Sequence, residues 1–306
     1  MKTPLVSIVL ATHNGEKYLK EQLDSLINQT YPVLEIIVVD DCSTDATVDI
    51  IKLYRQKYGH IKFYQNEAVL GPVKNFEKGM VLSAGEYISL CDQDDVWMPE
   101  KIKKIMDIIG PCDMAYCNSG FIDENGNDLG RKLSDIKNLG SYKDCLAFSI
   151  GNAVSGHAAV FSRRLLSGVL PIPGEIIHDW WLAFNAVQHS EIRYINEVLV
   201  QYRQHSQNYI GAINVKDRKK KRESNKSRAN SIKFRMDAFS GNCAVHNSEE
   251  RIVLQKLAKS YRNYSLFNDC QRMLIFFRYR NRLLAIKKRS SFRRWLFCLK
   301  MFFNII

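Results

Sequence analysis

Buried strands and amphipathic helices alternate between residues 5 and 117, and this alternation restricts the fold more than any other feature of the chain. Continuous apolar runs rich in β-branched residues predict strands that are buried on both faces. Repeated strand–helix–strand units of this kind predict an α/β fold, in which a mostly parallel sheet is flanked by helices. The predicted strands are Leu5–Ala11, Leu34–Val39, Ile61–Gln65, Tyr87–Cys91 and Met114–Cys117.

The segments between these strands have the spacing and the end signals of helices. Apolar residues recur every three or four positions, and Ser, Thr, Asp or Pro residues stand where helices begin. Beyond residue 118 the alternation becomes less regular, and a turn at residues 123–127 is expected to join two β segments. The predicted helices begin at Glu16, Ser43-Thr44-Asp45, Gly71-Pro72, Pro99 and Asp179.

Three of the predicted strands end in polar or acidic side chains. They run into Thr12-His13-Asn14, into Asp40-Asp41 and into Asp92-Gln93-Asp94-Asp95. The carboxyl ends of neighbouring parallel strands meet at one edge of a sheet, and ligands of such folds bind beyond that edge. We therefore expect these side chains to lie close together and to form a ligand site.

Asp92, Asp94 and Asp95 place three carboxylates within four residues. These carboxylates repel one another unless a cation or hydrogen-bond donors compensate for the charge. Mg²⁺ and Mn²⁺ prefer oxygen ligands and commonly bridge one or two carboxylates to the phosphates of a substrate. An isolated acidic triplet is more often a solvated turn with a helix cap, but the second acidic pair, Asp40-Asp41, favours a site for a metal and a diphosphate.

The order and content of these motifs resemble glycosyltransferase family 2. The resemblance covers about residues 4–210 and rests on three stretches, V-S-I-V-L-A-T-H-N-G, I-I-V-V-D-D-C-S-T-D and G-E-Y-I-S-L-C-D-Q-D-D-V-W-M-P. It implies a GT-A fold, a nucleotide-sugar donor, a divalent metal (Mg²⁺ or Mn²⁺) and inversion at the anomeric carbon. It also implies that Asp41 contacts the base, that Asp92 lies near the ribose and that Asp94 binds the metal. The nucleotide pocket implied by the resemblance further includes Thr12, Asn14 and Glu16.

Asp179 and the stretch Y-R-Q-H complete the site that the resemblance implies. In I-H-D-W-W, Asp179 matches the family's catalytic base, which takes the proton of the acceptor hydroxyl; the alternative is a helix N-cap in front of aromatic core residues. Arg203 is expected to bind the pyrophosphate bidentately. His205 is expected to complete the metal shell, although a single His after a strand is more often a satisfied polar residue. We assign no chemistry to His157, in the pair Gly156-His157.

Three details resemble the rhamnosyltransferase-like branch of the family. They are D-Q-D-D-V-W, the Trp pair that follows His-Asp, and Y-R-Q-H. That branch implies dTDP-L-rhamnose as the donor, with a UDP-sugar as the alternative. The acceptor implied is a lipid-linked or polysaccharide chain, so that the enzyme would add rhamnose or another deoxyhexose to a bacterial cell-surface glycan.

Net charge divides the chain into two parts. Residues 1–215 carry 20 Lys and Arg against 26 Asp and Glu, whereas residues 216–306 carry 24 against 6. We expect a GT-A catalytic domain over 1–215, with a nucleotide-sugar half (1–118) and an acceptor half (119–215). A basic helical region is expected over 216–306, beginning with a solvated run at Lys216–Arg222.

In the basic region, aromatic and aliphatic residues alternate with cations. This pattern is typical of helices that lie on anionic membranes; the alternative is a helical cap packed on the catalytic domain. No apolar run is long enough to cross a bilayer, and no cleavage signal follows Met1. The eight cysteines lack metal-site spacing and are expected to be reduced and mostly buried. The expected location is the cytoplasm, peripheral on the inner face of the cell membrane.

Two rival functions use some of the same features. A nucleotidyltransferase also binds Mg²⁺ through carboxylates, but it needs a glycine-rich, basic phosphate loop where this chain has T-H-N-G. A nucleic-acid-binding protein would use the basic tail. The acidic strand ends would repel a polyanion, and no nucleic-acid partner is therefore expected.

Overall fold

The computed structural model describes residues 3–206, 225–263 and 265–303, so the run Lys216–Arg222 lies outside the described residues. Within them the chain forms one sheet of nine strands with helices on both faces. The strands are β1 (Val6–Thr12), β2 (Leu34–Asp40), β3 (Ile61–Gln65), β4 (Tyr87–Cys91), β5 (Val96–Trp97), β6 (Met114–Ile122), β7 (Asp128–Lys132), β8 (Ala159–Ser162) and β9 (Ile192–Arg203).

Helices follow most of these strands, and the last five helices form the C-terminal region. Three short 3₁₀ turns also occur, at Cys145–Phe148, Gly156–Ala158 and Arg163–Leu166. The helices are α1 (Glu16–Ile27), α2 (Thr47–Lys57), α3 (Pro72–Leu82), α4 (Lys101–Ile109), α5 (Leu133–Ile136), α6 (His178–His189), α7 (Asn225–Gly241), α8 (Ser248–Ser260), α9 (Leu266–Arg278), α10 (Arg280–Leu283) and α11 (Ser291–Phe303).

The first four strands form the parallel part of the sheet, in the order β3, β2, β1, β4. Helices α1, α2 and α3 connect these strands, which confirms the predicted alternation. The register pairs Thr12 with Asp40 and Leu10 with Cys91. The polar residues that follow β1, β2 and β4 therefore lie at the same edge of the sheet, as the sequence predicts.

The second half of the sheet is mixed rather than parallel. Strand β8 lies antiparallel between β4 and β6, and β9 runs parallel to β6. The short β5 pairs antiparallel with β9, and β7 forms a hairpin with β6 across the predicted turn at residues 123–127. These pairings bring the end of β9 beside the loop that follows β4.

The sheet is buried on both faces, which explains why its strands are continuously apolar. Side chains alternate along β2, so that Ile36 and Val38 belong to one core and Ile37 and Val39 to the other. Helices α1, α2 and α4 cover the first core, and α3, α6 and the C-terminal helices cover the second. Both cores exclude water from the strands that carry the acidic motifs.

The C-terminal helices pack on the part of the chain that carries the sheet (residues 3–206) through aromatic side chains. Phe239 of α7 stacks on Phe184 of α6 with ring centroids 4.1 Å apart, and on Trp181 at 6.0 Å. Phe239 is fully buried. Arg282 adds an ion pair across the same boundary, with Asp144 at 2.5 Å. The inner face of this region is thus a helical cap, the alternative that the sequence left open.

Across the described ranges, every helix is either too short or too polar to cross a bilayer. All eight cysteines are free, and only Cys42 and Cys270 are not buried, as expected for reduced thiols in a core.

The stacked aromatic contact predicts how the C-terminal helices contribute to stability. Phe239→Ala should lower the free energy of unfolding by about 3–5 kcal/mol, because it leaves a cavity against Phe184 and Trp181. Phe267→Ala is the matched control, since Phe267 is 72% exposed. Urea unfolding of both variants measures the difference, and equal midpoints would contradict the packing described for α7.

Candidate functional site

The ends of β1 and β2 are joined by buried side chains. Thr12 Oγ1 donates a hydrogen bond of 2.9 Å to Asp40 Oδ1, and both residues are inaccessible to solvent. Asp40 also accepts from the backbone and the hydroxyl of Ser43. The first acid of the Asp40-Asp41 pair therefore shapes the loop after β2, and the predicted donor contact of Thr12 stays a prediction.

His13 connects the two acidic motifs. Its Nδ1 donates to the carbonyl oxygen of Asp41 at 2.7 Å. Its backbone N–H donates to Gln93 Oε1 at 2.9 Å, and its carbonyl oxygen accepts from Gln93 Nε2 at 3.0 Å. A Cβ at Gly15 would lie 2.3 Å from Gln93 Oε1, so a larger residue there would push the Gln93 side chain out of this contact. Residues 41 and 93 are thereby fixed to the same end of β1.

Asn14 and Glu16 organise the loop after β2. Asn14 adopts a positive φ of 49°, and its side-chain oxygen accepts from Thr44 N at 2.8 Å. Glu16 Oε2 accepts from Ala46 N at 2.8 Å. Both side chains border the edge where the sequence predicts the nucleotide, and their donor contacts stay predictions.

Asp41 is buried, and its carboxylate holds a second loop. Oδ1 accepts from Leu70 N and from Asn66 Nδ2, each at 2.8 Å, and Oδ2 accepts from Gly71 N at 2.8 Å. This bonding fixes residues 66–71 against the end of β2. The contact of Asp41 with the base stays a prediction. The loop that Asp41 holds would lie on the same side of the pocket as the base.

Asp94 and His205 meet although 111 positions separate them. His205 Nε2 lies 2.8 Å from Asp94 Oδ2, and the imidazole packs on the Tyr18 ring with centroids 5.0 Å apart. Both side chains keep some exposure, 15% for Asp94 and 9% for His205. The structure thus brings together the two residues that the family resemblance assigns to the metal.

Arg203 is a buried support of the acidic turn. Its backbone N–H donates to Asp95 Oδ1 at 3.1 Å, and its Nε donates to the carbonyl oxygen of Asp94 at 2.8 Å. The guanidinium also pairs with Glu21 at 2.5 Å and stacks over Tyr18. The pyrophosphate contact predicted for Arg203 stays a prediction, and in this structure the group is bonded to protein acceptors.

His157, to which the sequence assigned no chemistry, lies among the acids. Its Nδ1 is 3.3 Å from Asp95 Oδ2 and 3.5 Å from Asp92 Oδ2. Partial burial by itself would raise the pKa of Asp92, but hydrogen bonding to His157 lowers it. Burial, with repulsion from Asp94 and Asp92, raises the pKa of Asp95 well above its ordinary value.

Lys101 is a second buried cation that the sequence analysis missed. Its Nζ donates to the carbonyl oxygen of His157 at 2.6 Å and lies over the Trp97 ring. Burial lowers the pKa of Lys101 to about 7. The sequence does contain a sign of this burial. Lys101 lies four residues before Ile105, and residues at that spacing share one face of a helix, here the apolar face of α4.

Asp179 is the second residue of α6 and faces this network from the other side. Its Oδ2 accepts from Gly156 N at 3.2 Å, so that Asp179 contacts the residue before His157. The two Trp rings that follow point into the core, where Trp180 bonds to the carbonyl oxygen of Phe148 and Trp181 stacks on Phe239. The aromatic residues anchor α6 and leave Asp179 at its start.

The donor atoms at this edge fit a divalent cation. Asp94 and His205 form one pair, and the ligand atoms of Asp92, Asp95 and His157 lie within 4.8 Å of one another. Asp95 Oδ2 is buried with no hydrogen-bond partner among the described residues. Carboxylate oxygens are the ligands that Mg²⁺ and Mn²⁺ prefer.

Comparison with known proteins identifies the family. The family model described as Glycosyl transferase family 2 matches residues 7–170, which is more than half of the chain. An uncharacterized glycosyltransferase of Methanocaldococcus jannaschii is 32% identical, over 70% of this chain and 76% of its own length. TuaG of Bacillus subtilis, described as a putative teichuronic acid biosynthesis glycosyltransferase, is 28% identical over 56% of this chain and 66% of its own.

Solved structures share the fold at lower identity. S. aureus TarS 1–349 in complex with UDP-GlcNAc has a TM-score of 0.57 and 18% identity, and the match covers 96% of this chain and 90% of TarS 1–349. Mannosyltransferase PcManGT from Pyrobaculum calidifontis, in complex with GDP-Man and Mn²⁺, has a TM-score of 0.52 and 16% identity, covering 99% and 86%. The chain therefore belongs to glycosyl transferase family 2, and its fold is of the GT-A type.

Proposed function

We propose that this glycosyltransferase moves a sugar from a nucleoside-diphosphate donor, with inversion, to a lipid-linked or polysaccharide acceptor of a bacterial cell-surface glycan. One observation carries the proposal. Acidic residues that follow β2 and β4 and one in the first turn of α6 lie at one edge of the sheet, together with His205 after β9. The names of TuaG and of the TarS complex with UDP-GlcNAc support the same classes of donor and acceptor.

Asp94 and His205 are the residues that would hold the cation. Both are partly exposed, whereas Asp95 and His157 of the neighbouring cluster are enclosed and only its Asp92 reaches solvent. A cation that binds with its nucleotide needs coordination positions open to phosphate and water, which favours the pair whose two members are both accessible. When bound, Mg²⁺ or Mn²⁺ supplies positive charge that stabilises the departing diphosphate. Asp41 and Asp92 would then bind the base and the ribose.

The transfer itself needs a group that accepts a proton. The acceptor hydroxyl oxygen forms a bond to the anomeric carbon, while the bond from that carbon to the phosphate oxygen breaks. The electron pair of the broken bond leaves with the nucleoside diphosphate, and the hydroxyl proton passes to the carboxylate of Asp179. The hydrogen bond from Gly156 N to Oδ2 orients that carboxylate, and a positioned base contributes about 10²–10⁴-fold.

Substitution of Asp94 is expected to weaken nucleotide binding, whereas substitution of Asp179 is expected to slow sugar transfer. Asp94→Asn should weaken nucleotide binding in the presence of Mn²⁺ by about 10-fold or more. Asp179→Asn should leave nucleotide binding unchanged and slow transfer by about 10²–10⁴-fold. Calorimetry of UDP and dTDP binding, together with assays of nucleoside-diphosphate release with and without EDTA, separates the two effects.

Asp107→Asn is the matched control for both variants. It makes the same chemical change on an exposed position of α4, away from the sheet edge. The control should bind and turn over donor as the wild type does. Full activity in EDTA, or undiminished transfer by Asp179→Asn, would contradict the proposed roles.

The donor sugar is proposed from the motifs D-Q-D-D-V-W and Y-R-Q-H, which favour dTDP-L-rhamnose or another deoxyhexose donor. The structure joins these two motifs through Asp94 and His205. A screen of purified protein against dTDP-L-rhamnose, UDP-glucose, UDP-GlcNAc and GDP-mannose should give the highest kcat/KM for dTDP-L-rhamnose. Turnover of UDP-hexoses with none of dTDP-L-rhamnose would reject the rhamnose assignment and leave the enzyme class intact.

A second surface supports a peripheral location on the inner face of the cell membrane. Helices α9 and α11 each bury one side and expose apolar residues on the other, and Phe277 packs edge-on against Trp295 between them. Arg293 and Lys300 are exposed beside this outer face. Apolar side chains flanked by cations suit an anionic bilayer. The exposed apolar residues of the outer face are Leu266, Phe267, Leu274, Phe292, Trp295, Leu296 and Phe303.

Membrane binding is tested by removing the outer face without disturbing the core. The double variant Phe292→Ser/Trp295→Ser should bind phosphatidylglycerol vesicles at least about tenfold more weakly than the wild type, because apolar burial and charge act together. Leu53→Ser/Val81→Ser is the matched control, since both residues are exposed on the catalytic part. Sedimentation with anionic and with neutral vesicles measures binding. Failure of the wild-type protein to sediment with anionic vesicles would contradict the membrane proposal.

A further inference from the structure

His157 is held on every side by groups of the candidate site. It is 4% exposed, with Nδ1 between Asp95 Oδ2 at 3.3 Å and Asp92 Oδ2 at 3.5 Å. Its Nε2 lies 3.1 Å from the hydroxyl of buried Ser119. The ring packs on Tyr202 with centroids 4.5 Å apart. These contacts leave one orientation of the imidazole, in which Nδ1 faces the two carboxylates.

The backbone beside His157 is fixed as tightly as the ring. Buried Lys101 donates to its carbonyl oxygen at 2.6 Å. The preceding Gly156 donates its N–H to Asp179 Oδ2 at 3.2 Å, and a Cβ at Gly156 would lie 3.1 Å from His178 Nε2. Two consecutive residues therefore contact the carboxylates on both sides of the site.

The hydrogen bonds define what the imidazole can do. When Nδ1 carries the proton, its N–H lies between the two carboxylate oxygens and attracts both, and Nε2 accepts from the Ser119 hydroxyl. Without that N–H, the carboxyl oxygens of Asp92 and Asp95 would face each other with no donor between them. Asp92 is half-exposed and can turn towards solvent, whereas Asp95 is enclosed. Loss of the donor would therefore move Asp92 first.

We propose that His157 is a positioning residue, which fixes Asp92 for the nucleotide of the donor and links it through Gly156 to Asp179. This inference rests on the proposed function, since it assigns Asp92 to nucleotide binding. His157 itself touches no substrate, because it is enclosed between Asp92 and the sheet. Residues that orient a binding group in this way typically change affinity by about 10- to 100-fold when they are replaced.

Two substitutions distinguish the need for an N–H at the position of Nδ1 from simple packing. The amide nitrogen of Asn reaches the position of Nδ1, whereas that of Gln reaches the position of Nε2. His157→Asn should keep the nucleotide affinity of the wild type within about threefold, and His157→Gln should weaken it by about 10- to 100-fold. Calorimetric titration of UDP and dTDP into each protein, with Mn²⁺ present, measures the dissociation constants.

Each result of this titration supports or contradicts either the positioning role of His157 or the proposed function. Equal affinity of His157→Gln and the wild type, or equal loss in both variants, overturns the positioning role. Wild-type protein that binds neither nucleotide contradicts the proposed function itself, and Asp94→Asn reports whether the measured binding is that of the site. If His157→Gln does not fold, Ser119→Ala decides: it should weaken nucleotide binding by about threefold or more, and unchanged affinity overturns the proposal.

Discussion

Repulsion among the carboxylates at residues 92–95 is the physical constraint on which the site depends. The folded chain offsets it with donors and cations from distant segments: Arg203 bonds to Asp95 and to the backbone of Asp94, and His157 lies between Asp92 and Asp95. Burial, together with repulsion from Asp94 and Asp92, still holds the pKa of Asp95 well above its ordinary value. A cation bound at this edge would favour the charged carboxylates and offset their repulsion.

The C-terminal region combines the two roles that its sequence suggested separately. Its inner side chains, Phe239 among them, belong to the core shared with α6, so the C-terminal region supports the helix that carries Asp179 in its first turn. Its outer side chains on α9 and α11 remain exposed beside cations. A region built in this way would fix the catalytic part relative to whatever surface the outer face contacts.

Local patterns predicted the first half of the fold and the common edge of its acidic motifs, since burial on both faces gives each parallel strand a continuous apolar run. Strands Ile61–Gln65 and Tyr87–Cys91 have the predicted bounds. The antiparallel insertion of β8 and the pairing of β6 with β9 depend on long-range contacts that no local pattern records. For the same reason His157 and Lys101 went unrecognised: their chemistry comes from neighbours far away in the sequence.

The central claim is that carboxylates from separate strands serve one cation and one nucleotide. Anomalous diffraction from crystals grown with Mn²⁺ and a nucleoside diphosphate tests it most directly. The account predicts a manganese peak about 2.0–2.3 Å from the Asp94 carboxylate, in contact with His205, with the diphosphate beside it and the base near residues 41 and 66–71. A nucleotide bound at another surface, or manganese remote from Asp94, would contradict it.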